Sequence, residues 1–186
     1  MNSIVKGSLS DISVSQNISL AESFLNCEAL ILLDLSGSME SADTPTGETR
    51  RKVATEHLIK LQKSHGGKVA LFSFADYIVP CPSGLPQDCG GSTNLHKALE
   101  YLKQYDDAGM KIIVISDGSP NDPEKCLKIA STFVNRIDVI FVGSETDYDR
   151  GRKFLEELAR VTGGKSVKSD APGELFNQAQ TYLLNG

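Results

Sequence analysis

Apolar positions fall into two alternating patterns from residue 29 onward. Short, mostly apolar runs of strand length occur at residues 29–33, 68–74, 111–115 and 137–142. Between these runs, apolar residues recur every three or four positions, which is the period of a helix that packs on one face. Strands that alternate with helices in this way are typical of an α/β domain whose largely parallel sheet is buried on both faces. The pattern therefore predicts that fold class.

Five helices are predicted after residue 29, and they cover about residues 48–63, 95–102, 122–134, 154–161 and 173–184. The apolar face of the first comprises Val53, His57, Leu58 and Leu61. Asp122 and Pro123 supply an N-cap and a first-turn proline for the third helix. Gly163 and Gly164 provide a stop signal for the fourth helix.

Two further strands are predicted to be short. Residues 77–79 follow the second strand after only two residues, a gap too short for the crossover that a parallel pair requires. We therefore expect an antiparallel strand at the edge of the sheet, ended by Pro80 and Pro82. The other short strand is expected at residues 166–168.

The N-terminal segment, residues 1–27, differs from the rest of the chain because it holds seven serines, few charges and no sustained periodicity. Brief alternation occurs at Ile12 and Val14. We expect this segment to be an arm that contributes one edge strand and packs on the domain formed by residues 28–186.

Composition and charge exclude several classes of function. With 186 residues, of which 40% are hydrophobic, the chain fits one globular domain. Its 24 acidic and 19 basic residues give a net charge of -5 without any Lys/Arg block, so neither nucleic acid nor a membrane surface is an expected partner. The N-terminus has no continuous apolar run, which predicts no signal peptide, no spanning helix and a cytoplasmic location.

The four cysteines, Cys27, Cys81, Cys89 and Cys126, show no CxxC spacing and no cluster with histidine, which disfavours a zinc site. In a cytoplasmic protein we expect them to be thiols. Cys81 and Cys89 flank a loop rich in proline and glycine and would pair only in an oxidising compartment.

Oxygen ligands lie beside three of the predicted elements. Asp34, Ser36 and Ser38 alternate in the turn after the first strand, Thr93 lies in a Gly-Gly-Ser-Thr segment before a helix, and Asp117 follows a later strand. The carboxyl ends of parallel strands meet at one edge, where open α/β sheets bind ligands. Carboxylate and hydroxyl oxygens are hard ligands, so they predict Mg²⁺ or Mn²⁺, with Ca²⁺ less suited. Because the hydroxyls are neutral, the ion would attract an external carboxylate.

The combination of Asp-x-Ser-x-Ser, a downstream Thr and a later Asp-Gly resembles the metal-ion-dependent adhesion site (MIDAS) of von Willebrand factor type A (vWA) domains. The resemblance covers about residues 27–185 and implies a six-stranded sheet in the order 3-2-1-4-5-6 with helices on both faces. It implies that Ser36, Ser38 and Thr93 touch the metal. It also implies that Asp34 and Asp117 hold the metal directly or through water, and that an Asp or Glu of a protein partner completes the shell. We expect such a module to work in a larger intracellular complex.

One position departs from this pattern. The usual Gly-Gly-Thr is Gly-Gly-Ser-Thr here, so Ser92 competes with Thr93 for the role of ligand. We select Thr93, because Leu95 and Ala98 then keep the expected spacing into the helix. Three acidic residues in neighbouring loops are expected to be helix caps or solvated charges: Asp43, Glu48 and Asp122.

Two other functions stay open at this point. Asp34 could be the nucleophile of a Mg²⁺-dependent phosphotransferase of the haloacid dehalogenase type. That chemistry normally has a second carboxylate two residues on as general acid, where this chain has Ser36. The chain could also be a metal-independent scaffold, whose partner binding would not respond to chelation.

Overall fold

The computed structural model describes residues 3–44, 46–106, 109–143 and 150–169, together with residues 177, 179 and 181. At its centre is a six-stranded sheet in the order β3-β2-β1-β4-β5-β6. The strands are β1 (Ala29–Asp34), β2 (Val69–Phe74), β3 (Ile78–Pro80), β4 (Lys111–Ser116), β5 (Ile137–Val142) and β6 (Ser166–Ser169). Neighbouring strands pair in parallel except β2 and β3, which are antiparallel. The strand order and the antiparallel edge strand are therefore confirmed.

The central strand β1 lies between β2 and β4, and all six of its residues are buried. Its side chains alternate between two apolar clusters, with Leu30 and Leu32 on one face of the sheet and Ile31 and Leu33 on the other. A strand buried on both faces is a continuous apolar run in sequence. This is why the run at residues 29–33 predicts the strand correctly.

The described part of the chain contains six α-helices: α1 (Leu9–Gln16), α2 (Leu20–Leu25), α3 (Arg50–Ser64), α4 (Leu95–Leu102), α5 (Pro123–Ala130) and α6 (Gly151–Thr162). Through Ala54, Leu58 and Leu61, α3 packs on one face of the sheet. On the opposite face, α4, α5 and α6 pack through residues that include Leu99 and Leu155. The predicted placement of helices on both faces is confirmed.

Helix caps follow the sequence signals in two places. The carboxylate of Asp122 accepts the backbone N–H of Lys125 at 3.0 Å and caps α5, with Pro123 in the first turn. The end of α6 also follows its sequence signal. The helix stops at Thr162 because Gly163 takes the left-handed conformation, with φ of 71°.

The end of α5 corrects one prediction. The helix stops at Ala130, short of the predicted end at residue 134. The carboxylate of Asp106 accepts the N–H groups of Val134 and Asn135, each at 2.8 Å, and these bonds hold the chain outside the helical path. Because Asp106 comes from a distant segment, the periodicity of α5 itself does not reveal where it ends.

The N-terminal segment forms α1 and α2, so the predicted edge strand is wrong. Ser8 caps α1, and Ser19 caps α2 in a capping box with Glu22. Serines in this segment are therefore helix-start signals, which outweigh the brief alternation of apolar residues. The segment packs on the sheet through Phe24, whose ring centroid lies 6.4 Å from that of Phe72 on β2.

Three other expectations concern the chain as a whole. The predicted last helix, residues 173–184, lies largely outside the described residues, although Ala179 is helical and buried on the same face of the sheet as α3. In the described ranges, no helix has the length and apolar character needed to cross a bilayer. The four cysteines are free and buried.

Candidate metal centre

The candidate site is built around Asp34, the last residue of β1, which is fully buried. Its Oδ1 accepts the backbone N–H of Ser36 at 2.8 Å, and its Oδ2 accepts the hydroxyl of Ser116 at 2.6 Å. Ser116 ends β4, and its own Oγ accepts the N–H of Gly118 at 2.9 Å. The parallel pairing of β1 and β4 therefore places a donor for Oδ2, and the turn after β1 supplies the donor for Oδ1.

The environment of Asp34 disfavours a bare negative charge. Burial raises the pKa of Asp34 to about 6, although hydrogen bonds from Ser116 and Ser36 oppose the shift. The nearby Asp117 carboxylate raises this pKa further. A bound cation would relieve both the desolvation and the repulsion between the two carboxylates. The electrostatics of the pair therefore fit a positively charged ligand.

The hydroxyls of Ser36 and Ser38 converge next to Asp34. A short 3-10 helix (Gly37–Glu40) follows β1, and its tight turn brings the two Oγ atoms to 3.1 Å from each other. Ser36 is buried and Ser38 is exposed. The pair therefore runs from the buried carboxylate to solvent and offers two neutral oxygen ligands at an accessible edge.

Thr93 approaches the same edge in the loop before α4. The Gly91 carbonyl accepts the N–H of Gly37 at 3.0 Å, which fastens this loop to the turn after β1. The Thr93 carbonyl accepts the N–H of Asn121 at 3.0 Å, which fastens it to the loop after β4. Backbone hydrogen bonds thus join the three segments that carry the predicted ligands.

Asp76, which follows β2, organises the loop before α4, a role that sequence reasoning missed. Its carboxylate accepts the N–H groups of Gly91 at 3.4 Å and Ser92 at 3.1 Å. The hydroxyl and the N–H of Ser92 lower the pKa of Asp76. Gly90 has φ of +102°, and a Cβ there would lie 2.0 Å from Asp76 Oδ2, so only glycine permits this approach. Ser92 therefore has a partner in Asp76, and Thr93 stays the predicted ligand.

The two carboxylate oxygens of Asp117 have different environments. This residue follows β4 and is 5% exposed. Its Oδ2 accepts an N–H of Arg50 from Nη1 at 2.9 Å. Within the described ranges, its Oδ1 and His96 Nδ1 are the only buried side-chain N or O atoms without a hydrogen-bond partner. Buried acceptors without a partner are rare in native structures, so Oδ1 of Asp117 is an available ligand atom.

The structure brings together Asp34, Ser36 and Ser38 in one turn, and Asp117 and the loop of Thr93 approach that turn. Among the described residues, no group of three or more His, Cys, Asp or Glu side chains could hold a metal ion. A metal centre at this edge therefore depends on the three hydroxyls. Two carboxylates with three hydroxyls are a hard donor set, which fits Mg²⁺ or Mn²⁺ rather than zinc.

The three acidic residues around the site have different partners. Asp122 caps α5 as predicted, and Glu48 pairs with Lys52 on the surface of α3. Asp43 is not a helix cap: its partly exposed carboxylate pairs with Arg50. Sequence reasoning missed Arg50 because a basic residue at the start of a helix usually indicates a solvated side chain.

Comparison with known proteins gives structural matches only. No family model matches the sequence, and no curated protein matches it. An aerotolerance-related membrane protein from Bacteroides fragilis is 16% identical with a TM-score of 0.66, covering 86% of this chain and 100% of that one. Manganese-loaded TRAP from Plasmodium vivax is 16% identical with a TM-score of 0.54, covering 86% and 72%. A von Willebrand factor type A structure from Catenulispora acidiphila is 16% identical with a TM-score of 0.58, covering 84% and 42%.

These likenesses establish the architecture. The sheet order, the antiparallel edge strand and the solved structures agree that the chain has the fold of a vWA domain. The segments that carry the candidate ligands lie at the carboxyl edge of this fold, where β1 and β4 end.

Proposed function

We propose that the chain is a non-enzymatic protein-binding module that captures an Asp or Glu carboxylate of a partner through Mg²⁺ or Mn²⁺. The observation that carries the proposal is a pair of buried carboxylates, one of which has an oxygen without a partner. The fold supports the proposal, because a protein with the same fold, TRAP from Plasmodium vivax, is described as manganese-loaded.

Five residues would hold the ion in this proposal. Ser36, Ser38 and Thr93 would bind it through their hydroxyls. Asp34 and Asp117 would hold it directly or through water. When bound, the ion supplies a Lewis acid that attracts an anionic oxygen. The neutral hydroxyls offset little of its charge, so an incoming carboxylate is still attracted.

The rim of the candidate site is open to a partner. Gly37 and Ser38 on one loop and Gly91 and Ser92 on another are exposed. The hydrogen bond from the N–H of Gly37 to the Gly91 carbonyl joins the two loops side by side. Because these residues are small, the side chain of a partner could approach an ion held at this edge.

The geometry does not favour the phosphotransferase. A nucleophilic aspartate must present an oxygen to its substrate, but Asp34 is fully buried and both of its oxygens accept hydrogen bonds. Ser36, in the position of the general acid, has a hydroxyl whose pKa is far too high for that role at neutral pH. We therefore assign Asp34 to ion binding rather than to catalysis.

Calorimetric titration of chelator-treated protein with Mg²⁺ and Mn²⁺ tests the metal centre. We expect one ion per chain, and about tenfold or greater loss of affinity in Asp34→Asn and Ser38→Ala. Ser64→Ala is the matched control, because Ser64 ends α3 and its hydroxyl bonds only backbone carbonyls and His65. Wild-type protein that binds neither ion at millimolar concentration would refute the proposal.

A second experiment tests capture of a partner. Proteins retained from the native cell by the immobilised chain are compared in Mn²⁺ and in EDTA, with Ser38→Ala as the metal-site control. We expect EDTA and Ser38→Ala to release the same proteins. Retention that is equal in all three conditions would instead indicate a metal-independent scaffold.

A further inference from the structure

Arg50, the first residue of α3, places a buried guanidinium beside the candidate metal centre. It is 2% exposed. Its Nη1 donates to Asp117 Oδ2 at 2.9 Å, and its Nε donates to Asp43 Oδ1 at 2.9 Å. Its Nη2 pairs with the other oxygen of Asp43. One planar group therefore joins a candidate metal ligand to a second carboxylate outside the ligand set.

The contact with Arg50 restricts the orientation of the Asp117 side chain. A guanidinium donates in a fixed fork, so a carboxylate that accepts from it has a defined orientation. Because Oδ2 is engaged by Arg50, rotation of the Asp117 side chain would break a buried ion pair, which is strongly unfavourable. The oxygen without a partner, Oδ1, is therefore held in one position rather than free to turn toward another donor.

The space around the guanidinium is limited. A Cβ added at Gly143, just after β5, would lie 3.5 Å from Arg50 Cζ and 2.8 Å from the ring of Phe141. The end of β5 therefore approaches the guanidinium closely from a third side. Asp43, Asp117 and the β5 end together fix the position of Arg50.

We propose that Arg50 is a positioning residue of the metal centre: its guanidinium holds Asp117 so that Oδ1 faces the ion. The inference rests on the proposed function. Groups that hydrogen-bond to metal ligands orient them, and their removal commonly weakens metal binding by about 10–100-fold. Arg50 also places a positive charge between the carboxylates of Asp43 and Asp117, which limits their mutual repulsion.

Arg51 provides a matched control from the next position of α3. It also pairs with two carboxylates, Glu40 at 3.0 Å and Asp88 at 2.5 Å, but its side chain is 30% exposed and neither partner is a candidate ligand. Loss of a positive charge near the ion, by itself, would tighten cation binding. Arg51→Met measures that electrostatic effect without changing Asp117.

The test is calorimetric titration with Mn²⁺, combined with the electron paramagnetic resonance spectrum of the bound ion. We expect Arg50→Lys, which keeps the charge and loses the fork, to bind Mn²⁺ about tenfold more weakly and with an altered spectrum. Arg51→Met should bind as tightly as the wild type or more tightly, with an unchanged spectrum. Circular dichroism and thermal unfolding in EDTA establish that each variant is folded.

Asp43→Asn keeps the experiment decisive if Arg50→Lys does not fold. Asp43 is partly exposed and outside the ligand set, so its variant should fold while the fork loses a charged partner. We expect Mn²⁺ affinity a few-fold below that of the wild type. If folded Arg50→Lys has wild-type affinity and spectrum, the inference is overturned and the proposed function is not. If Arg50→Lys does not fold, the same result for folded Asp43→Asn overturns the inference. Wild-type protein without Mn²⁺ affinity overturns the proposed function as well.

Discussion

Asp34 and Ser116 form a pair that only the folded sheet creates, since 82 positions separate them in the chain. The Ser116 hydroxyl donates to a buried carboxylate at 2.6 Å, a charge-assisted bond of the stronger kind. The same Oγ accepts the N–H of Gly118, so one serine serves both the carboxylate and the loop after β4. The pair therefore contributes to stability before any ion binds.

We expect Ser116→Ala to lower the free energy of unfolding of the metal-free protein by about 1–3 kcal/mol, because a buried carboxylate oxygen loses its donor. Urea denaturation in EDTA measures the change. Ser131→Ala is the control, since that exposed hydroxyl bonds only the carbonyl of Lys128 and its loss should change stability by less than about 0.5 kcal/mol. Equal stability of the two variants would contradict the argument.

His57, buried on α3, gives the fold a pH dependence of its own. Burial lowers the pKa of His57 below its ordinary value of 6.5. The unfolded chain therefore takes up this proton at a higher pH than the folded chain. The associated stability is fully present above about pH 6.5 and decreases as the pH falls toward the lowered pKa.

We expect His57→Gln to lose less thermal stability than the wild type between about pH 7 and pH 5, because the glutamine cannot take up the proton. Unfolding temperatures measured across this range give the slope. The control is Ser131→Ala, which removes an exposed hydroxyl and no ionisable group and should retain the wild-type slope. A wild-type slope in His57→Gln would show that other groups cause the pH dependence.

The candidate ligands come from the sequence and stay a prediction, whereas the residues that support them could not be found there. Asp34, Ser36 and Ser38 are neighbours in the chain, so their convergence requires only a turn. Arg50 and Asp76 act on segments that are distant in sequence. Their positions depend on which helix and which loop pack beside the carboxyl ends of β1 and β4, and an apolar pattern carries no such information.

At the scale of elements, continuous apolar burial made the strands predictable, whereas the end of α5 depended on a contact from elsewhere. Because β1 is buried on both faces, it is a continuous apolar run in the sequence. The end of α5 has no such sequence signal, because Asp106 fixes it from a separate segment. In the N-terminal segment, the alternation of Ile12 and Val14 suggests a strand, but serine caps and packing against β2 favour two helices.

The loop before α4 is the element on which the Thr93 position depends. The carboxylate of Asp76, which lies outside this loop, holds it through the N–H groups of Gly91 and Ser92. We expect Asp76→Ala to weaken Mg²⁺ and Mn²⁺ binding several-fold, because the loop gains freedom that metal binding must then remove. Calorimetry with both ions measures the loss.

Asp88→Ala is the control for this loop prediction. The Asp88 side chain is 82% exposed and pairs with Arg51, so its removal takes away a carboxylate of the same loop without affecting Ser92. We expect metal affinity close to that of the wild type. Equal weakening in Asp76→Ala and Asp88→Ala would indicate an effect of net charge instead of loop position.

At the scale of the whole molecule, the strand order explains why three distant segments meet. The chain leaves β1 toward α3 on one face, and it leaves β4 toward α5 on the other face. The loops after these adjacent strands therefore separate and leave a crevice at the carboxyl edge, the place where open α/β sheets bind ligands. Alternation of strands and helices predicts the α/β class, whereas the order of strands came from the resemblance to vWA domains.

An ion bound in this crevice, as proposed, would add to the stability of the whole fold. A ligand that binds the folded chain alone stabilises it, by about 2.7 kcal/mol at a concentration of 100 times Kd. Without the ion, the fold must keep the Asp34 carboxylate charged at neutral pH in a buried position, which is unfavourable. The Asp34 carboxylate would therefore destabilise the fold without the ion and stabilise it with the ion bound.

Asp34→Asn tests both effects in one protein. In EDTA at about pH 7.5, we expect the variant to unfold with a free energy equal to or above that of the wild type, because the amide removes a buried charge and still accepts the N–H of Ser36. At Mn²⁺ equal to 100 times the wild-type Kd, the wild type should gain about 2.7 kcal/mol, whereas a variant with tenfold or weaker affinity should gain about 1.4 kcal/mol or less. Denaturant titration in the two conditions measures all four values. A variant that gained as much as the wild type would place the ion away from β1, and the candidate site would be wrong.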